Sequence, residues 1–302
     1  MLHSGRTGNS IWDAVRFYGW SGVDIFFFLS AIGLCYSLNN NSNVKEFYKR
    51  RIYRILPTWM IVLLAVHLMG LVCNHFLPKL PFYVPDTILK CFTWYTGIGF
   101  WVSDFVTGKG WYYEWYVPAL LIFYLFTPFL YKKRRWVLIA ILGSFLVIGF
   151  LFNDNKILHH LHFFYLRIPI FVLGLLYYRL ITYEDNKVFN KNIIFSFVIG
   201  IGFLICNLLL NINVPKEHVA LFLCPPFLIV ISFLIRNTYI NSFLSFLGGI
   251  SLELYLIHLY RRPHYLVSFV FENKFIVIVV SFIICTILAA LLQRIVARVI
   301  KR

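Results

Sequence analysis

Charge is scarce in this chain. Of its 302 residues 13% are charged, about half the share a soluble domain carries, while 60% are hydrophobic. Acidic residues are fewest, 12 against 28 Lys and Arg. Other absences exclude other classes. The six cysteines (Cys35, Cys73, Cys91, Cys206, Cys224, Cys285) contain no Cys-x-x-Cys pair, which argues against a redox or metal role, and the continuous apolar runs exclude a secreted disulfide scaffold. Most lie in apolar runs and read as small packing residues. No Gly-rich phosphate loop is present, so nucleotide hydrolysis has no support. His159, His160 and His162 lack a carboxylate or Cys at ligand spacing, so metal binding is not expected. Internal repeats and low-complexity tracts are missing, and the polar residues 1–16 are not a cleavable leader. The net charge of +16 does not indicate a nucleic-acid module, because the apolar runs leave no place for a separate soluble core.

What remains is a membrane protein. Lipid offers no partner to a bare peptide group, so only helices and closed barrels span it, and barrel strands alternate in polarity. Runs such as Ile61 to Val72 and Ile276 to Leu292 do not alternate. A span needs roughly 20 apolar residues, which predicts an all-α polytopic bundle of nine helices at 17–38, 55–77, 114–131, 136–152, 163–181, 192–210, 219–236, 243–260 and 275–299, forming one domain over 1–302. Residues 78–113 break the pattern with Pro78, Pro81, Pro85, Gly97, Gly99, Gly108 and Gly110 among Trp and Tyr, as expected of a loop at the interface.

Basic residues are retained on the cytoplasmic side. The loops 39–54, 132–135, 179–191, 236–242 and 294–302 hold most of the 28 Lys and Arg. That bias places the N-terminus outside and the C-terminus in the cytoplasm, with Arg261 and Arg262 pulling the other way.

Five stretches carry a family resemblance. Gly22-Val23-Asp24-Ile25-Phe26-Phe27-Phe28-Leu29-Ser30-Ala31 resembles the Gly-Val-Asp-x-Phe-Phe-x-Leu-Ser-Gly signature of the membrane acyltransferase 3 family, with Ala31 in place of Gly. The basic run Phe47 to Pro57, the segment Trp115 to Pro128, Arg167 to Gly174, and Ser251 to His258 are similar to its later landmarks, in the same order. The resemblance implies about ten helices and the transfer of an acyl group, usually acetyl from acetyl-CoA, to a hydroxyl of a cell-surface glycan or lipid-linked saccharide. No bound cofactor is implied, acyl-CoA being a co-substrate, and the location implied is a bacterial cytoplasmic membrane. The partners expected are acyl-CoA, the saccharide acceptor and membrane lipids. A transporter or flippase, with Asp24, Arg167 and Glu253 lining a polar path, is the alternative.

Acetylating an alcohol needs a base, and imidazole suits neutral pH. His3 stands where the family places its essential histidine, about twenty residues before Asp24. Asp24 is expected to orient His3, to cap a helix start, or to pair with Arg167. His67 and His258 read as packing or interface residues. Arg50, Arg51 and Arg54 are expected to bind the phosphates of coenzyme A, Arg51 and Arg54 being three apart on one helical face; they also serve as topology signals. Lys132, Lys133, Arg134 and Arg135 read as topology alone. Glu253 and Glu114 are further carboxylates in or near spans. Trp94, Trp101, Trp111, Tyr112, Tyr113 and Trp115 form an aromatic belt, within which Trp111 and Trp115 are acceptor-side candidates for stacking on sugar rings. The family pattern has a span before His3, whereas only Met1 and Leu2 precede it here, so the natural reading frame is expected to extend upstream.

Overall fold

A computed structural model describes residues 21–76, 84–106, 115–152, 161–184, 186–209, 214–259, 267–268, 270–271 and 273–300. All regular structure among them is helical. The helices are α1 (Ser21–Asn40), α2 (Val44–Phe76), α3 (Ile88–Thr96), α4 (Ile98–Val106), α5 (Tyr116–Tyr131), α6 (Arg135–Phe152), α7 (His162–Tyr165), α8 (Ile168–Tyr183), α9 (Asn186–Leu209), α10 (Lys216–Leu234), α11 (Thr238–Gly249), α12 (Ser251–Leu259) and α13 (Lys274–Ile300).

Seven helices are long and apolar enough to cross a bilayer, and the bent pair α11 and α12, turning by 59° at Ile250, makes up to eight. The ninth expected span, 114–131, corresponds to α5, whose 16 residues measure about 24 Å, short of the roughly 30 Å hydrocarbon thickness. This is an integral membrane protein with an all-α polytopic bundle.

Several expected loops are helical in part: α8 (Ile168–Tyr183) and α9 (Asn186–Leu209) cover most of 179–191, α11 begins at Thr238 within 236–242, α13 runs to Ile300 within 294–302, and three more follow. The loop predicted at 39–54 ends at Val44, where α2 begins and runs unbroken for 33 residues. At about 50 Å it exceeds the membrane, so its basic first turns continue a span. Glu46 in that first turn suits the positive helix end, and Asn43 Oδ1 accepts the Glu46 N–H at 3.2 Å. The interfacial segment 78–113 contains α3 and α4, joined at Gly97, whose φ of 70° only glycine adopts freely. A Cβ there would stand 2.5 Å from the Trp59 ring and 2.9 Å from Pro118. The predicted outer loop 211–218 holds the first turn of α10.

The core gathers around α8, the most buried long helix. Small residues admit its neighbours, since apolar burial alone gives helices in lipid little reason to associate. A Cβ on Gly174 would lie 2.5 Å from Phe28 O and 2.7 Å from the Ala31 methyl, so α1 and α8 touch backbone to backbone. Phe123 of α5 stacks on Phe171 of α8, ring centroids 4.5 Å apart. Ser196 of α9 donates to Phe222 O of α10 at 2.8 Å. Tyr131 and Tyr36 both meet Tyr178 toward the far end of α8. Helices α1, α5, α8 and α10 therefore run parallel and begin at the same end of the bundle.

Candidate active site

That common end is built from helix beginnings. Asp24 sits in the first turn of α1 and Glu217 in that of α10. There the exposed N–H groups and helix dipoles favour carboxylates. Arg167 is the residue before α8, with Pro169 in the first turn, where a missing N–H costs nothing. Trp115 precedes α5.

The four meet in one cluster. Arg167 Nε is 3.0 Å from Asp24 Oδ1, and Nη2 is 3.5 Å from Glu217 Oε1. Arg167 Nη1 donates to Phe163 O at 2.9 Å, and the guanidinium carbon lies 4.6 Å from the Trp115 ring centroid. Side-chain exposures are 0% for Arg167, 2% for Asp24 and 4% for Glu217. Water is therefore not the partner of these charges; they are one another's. Two carboxylates meet one guanidinium where four helix N-termini point, and Lys216 of α10 adds a further cation within electrostatic reach of Asp24.

A second ionic group forms deeper along α2. Arg54 makes a two-pronged pair with Glu253 of α12, with Nη1 on Oε1 and Nη2 on Oε2, the latter at 2.9 Å. Nη2 also donates to Gly249 O at 2.8 Å. That carbonyl is at the last residue of α11, so one guanidinium joins the negative end of α11 to the first turn of α12 across the 59° bend. Gln293 of α13 donates to the same carbonyl at 2.8 Å. Glu253 is fully buried, whereas the Arg54 side chain is 38% exposed.

One turn earlier, Arg51 lies between the rings of Phe47 and Tyr124, at 5.5 and 5.9 Å. Its Nε is buried without a hydrogen-bond partner, which is costly for a charged donor. Arg50 is exposed. Tyr116 at the start of α5 packs on Tyr255 of α12, ring centroids 4.2 Å apart, and Tyr255 follows Glu253 by two residues.

Of the residues marked in the sequence, the structure joins Asp24 to Arg167 and Arg54 to Glu253. Trp115, read as an acceptor-side aromatic, is buried beneath Arg167 and stacks on Phe163 at 5.7 Å. Trp94 is buried too, and Trp101 packs edge-on against Phe164. His67 Nδ1 meets Tyr95 Oη at 3.2 Å, and His258 Nδ1 meets Tyr255 O at 3.1 Å. His3, Glu114 and Trp111 lie outside the described residues. Sequence reasoning missed Glu217, which sits in an ordinary-looking Lys-Glu-His run. The available signal was a carboxylate just after Pro215 and ahead of an apolar helix. Among the described residues no three His, Cys, Asp or Glu side chains are placed to hold a metal ion.

A family model described as an acyltransferase domain matches residues 3–294, nearly the whole chain. The chain belongs to the acyltransferase 3 family. This acyltransferase is also similar to ORF330 of Acidianus two-tailed virus, provisionally named an acetyltransferase, at 27% identity over 257 residues, covering 80% of this chain and 72% of the viral one. No solved structure matches it. Membership decides between an enzyme and a transporter in favour of acyl transfer.

Proposed function

We propose that this acyltransferase takes an acyl group, acetyl in the simplest case, from acyl-CoA on the cytoplasmic side and places it on a hydroxyl of a cell-surface glycan or lipid-linked saccharide. Arg50, Arg51 and Arg54 hold the donor's phosphates. His3 is the base, and Asp24, fixed by Arg167, orients it. The enzyme resides in a bacterial cytoplasmic membrane with the basic start of α2 inside and the Asp24 end outside.

The observation that carries this reading is Arg51. A guanidinium N–H held between two rings with no acceptor, beside the partly exposed Arg54, is a site that an oxyanion completes; phosphate oxygens match the guanidinium fork. In the reaction the hydroxyl gives its proton to the imidazole as its oxygen bonds to the acyl carbon. The carbon–sulfur bond then breaks, and the CoA thiolate takes the proton back from the imidazolium.

The test is incubation of purified protein with radiolabelled acetyl-CoA and extracted glycolipid. Label is expected in an ester that mild base removes. His3→Ala should lower the rate by about 10² to 10⁴, the usual loss with a general base. Wild-type turnover in that variant refutes His3 as the base, and unlabelled acceptor with the native protein refutes the donor or acceptor class.

A further inference from the structure

The end of the bundle opposite Asp24 carries a group of tyrosines that the scheme above leaves unused. Helices α1 and α8, parallel and in backbone contact at Gly174, bring Tyr36 and Tyr178 together there. Tyr178 is fully buried, and three other rings stand around it. Tyr36 meets it at 4.9 Å and 87°, Tyr183 at 6.3 Å and 89°, and Tyr131 of α5 at 6.1 Å and 50°. Tyr36 and Tyr183 are 42% and 67% exposed, and Tyr131 is half-buried. The rings thus form a cup on a buried floor, open to the outside. Asn39, exposed on the last turn of α1, sits at its rim and accepts from Tyr131 Oη at 3.4 Å.

Charge and register say what such a cup suits. Lys132 and Lys133 follow Tyr131, and Arg179 follows Tyr178 and donates to Tyr131 O at 2.8 Å and to Lys133 O at 2.5 Å. Glu184, the described carboxylate beside them, is already paired with Arg135 at 2.9 Å. An aromatic cup can hold an organic cation, but the surrounding cations repel one. They favour a flat base that brings its own phosphates. Register supplies the rest. Tyr124 and Tyr131 are seven residues apart, two turns and about 10 Å, on one face of α5. Arg51 lies 5.9 Å from the Tyr124 ring, and Tyr48, one turn before Arg51 on α2, donates to Leu125 O at 2.7 Å. The cup therefore stands about two turns of α5 beyond the guanidinium assigned to the donor's phosphates.

We infer that Tyr36, Tyr131 and Tyr183, standing around Tyr178, form the subsite for the adenine base of the acyl-CoA donor. This rests on the acyl-CoA reading above. In coenzyme A one ribose joins adenine to the diphosphate and bears the remaining phosphate. With the diphosphate at Arg51 and Arg54, the base extends along α5 toward Tyr131, and the ribose phosphate meets the cations that follow it. Stacking needs only the π-face of the base. Asn39, whose amide offers both a donor and an acceptor, faces its polar edge.

The experiment is calorimetric binding of coenzyme A to the purified full-length protein, beside phosphopantetheine, which lacks the adenosine. Native protein should bind coenzyme A the more tightly; equal affinities overturn the inference. Tyr36→Leu should raise the Kd for coenzyme A about tenfold, as expected when one ring is lost from a stacked base. The Kd for phosphopantetheine should not change. Tyr36→Phe keeps the ring and should bind coenzyme A as the native protein does. Tyr239→Leu, which removes a ring 86% exposed at the start of α11, should alter neither Kd. A native Kd for coenzyme A in Tyr36→Leu, or an equal loss for both ligands, overturns the inference. Where that variant does not accumulate, Tyr183→Leu should show the same selective loss, and its absence overturns the inference. Adenosine diphosphate that binds without displacing coenzyme A makes the cup a separate nucleotide site and overturns it likewise. Native protein that binds neither coenzyme A nor phosphopantetheine refutes the acyl-CoA reading itself, before any variant is compared.

Discussion

Replacing Arg167 by Met removes the charge at the centre of the buried cluster while keeping most of the side-chain length. None of the three ionic partners is more than 4% exposed, so water cannot take over the role of the guanidinium. Each carboxylate must stay charged in apolar surroundings or take up a proton. Protonating an ordinary carboxyl, of pKa about 4, at pH 7 costs about 1.4 kcal/mol per pH unit, hence about 4 kcal/mol. The stranded Phe163 carbonyl, which accepts from Nη1 at 2.9 Å, adds about 1–3 kcal/mol. A loss of 4 kcal/mol or more is a large part of the about 5–15 kcal/mol typical of a folded domain, and corresponds to a fall in Tm of roughly 8 °C or more. Tryptophan fluorescence on heating the detergent-purified protein measures it. The triple variant D24N/R167M/E217Q, with no charge left in the cluster, should recover much of the loss, because a neutral packed site avoids the stranded-carboxylate penalty. If R167M melts with the native protein, or the triple variant melts no higher than R167M, the cluster is not held together by this ionic balance.

Two further outcomes follow from the same contacts. Glu253→Gln weakens the hold of α12 on Arg54, which then has less to give up on meeting phosphate, so the Kd for coenzyme A measured by calorimetry should fall several-fold, each tenfold being about 1.4 kcal/mol; an unchanged Kd separates Arg54 from donor binding. Gly174→Ala drives a methyl against Phe28 O and Ala31 and should cost about 1–3 kcal/mol by thermal melting, whereas Gly143→Ala, with nothing within 4 Å of the added carbon, should be neutral or gain up to about 1 kcal/mol from helix propensity.

Composition and apolar run length determined that this chain is a bundle of membrane helices, because the hydrocarbon interior admits no exposed peptide group and so converts a count of consecutive apolar residues directly into spans. The motifs around Asp24, Arg167 and Ser251 were equally legible, since they are local in the chain. Helix ends were less so. Lys45 to Arg54 and Lys216 to His218 look like loops because they are polar, yet a helix longer than the membrane needs no apolar residues where it emerges, and a polar first turn can be buried when its charges find partners. The pair of Asp24 with Arg167 was among the expectations, but the partners of Glu253 and Glu217 were beyond reach. Arg54 and Glu253 lie 199 residues apart, and Arg167 and Glu217 lie 50 apart. Nothing in sequence spacing brings them together; only the tertiary structure does so, through the close contact at Gly174, the parallel run of α1, α5, α8 and α10, and the bend at Ile250, which sets Glu253 beside Arg54. A charge in a membrane protein takes its meaning from the one or two groups within about 4 Å of it, because little screens the interaction there, and those neighbours are decided by packing.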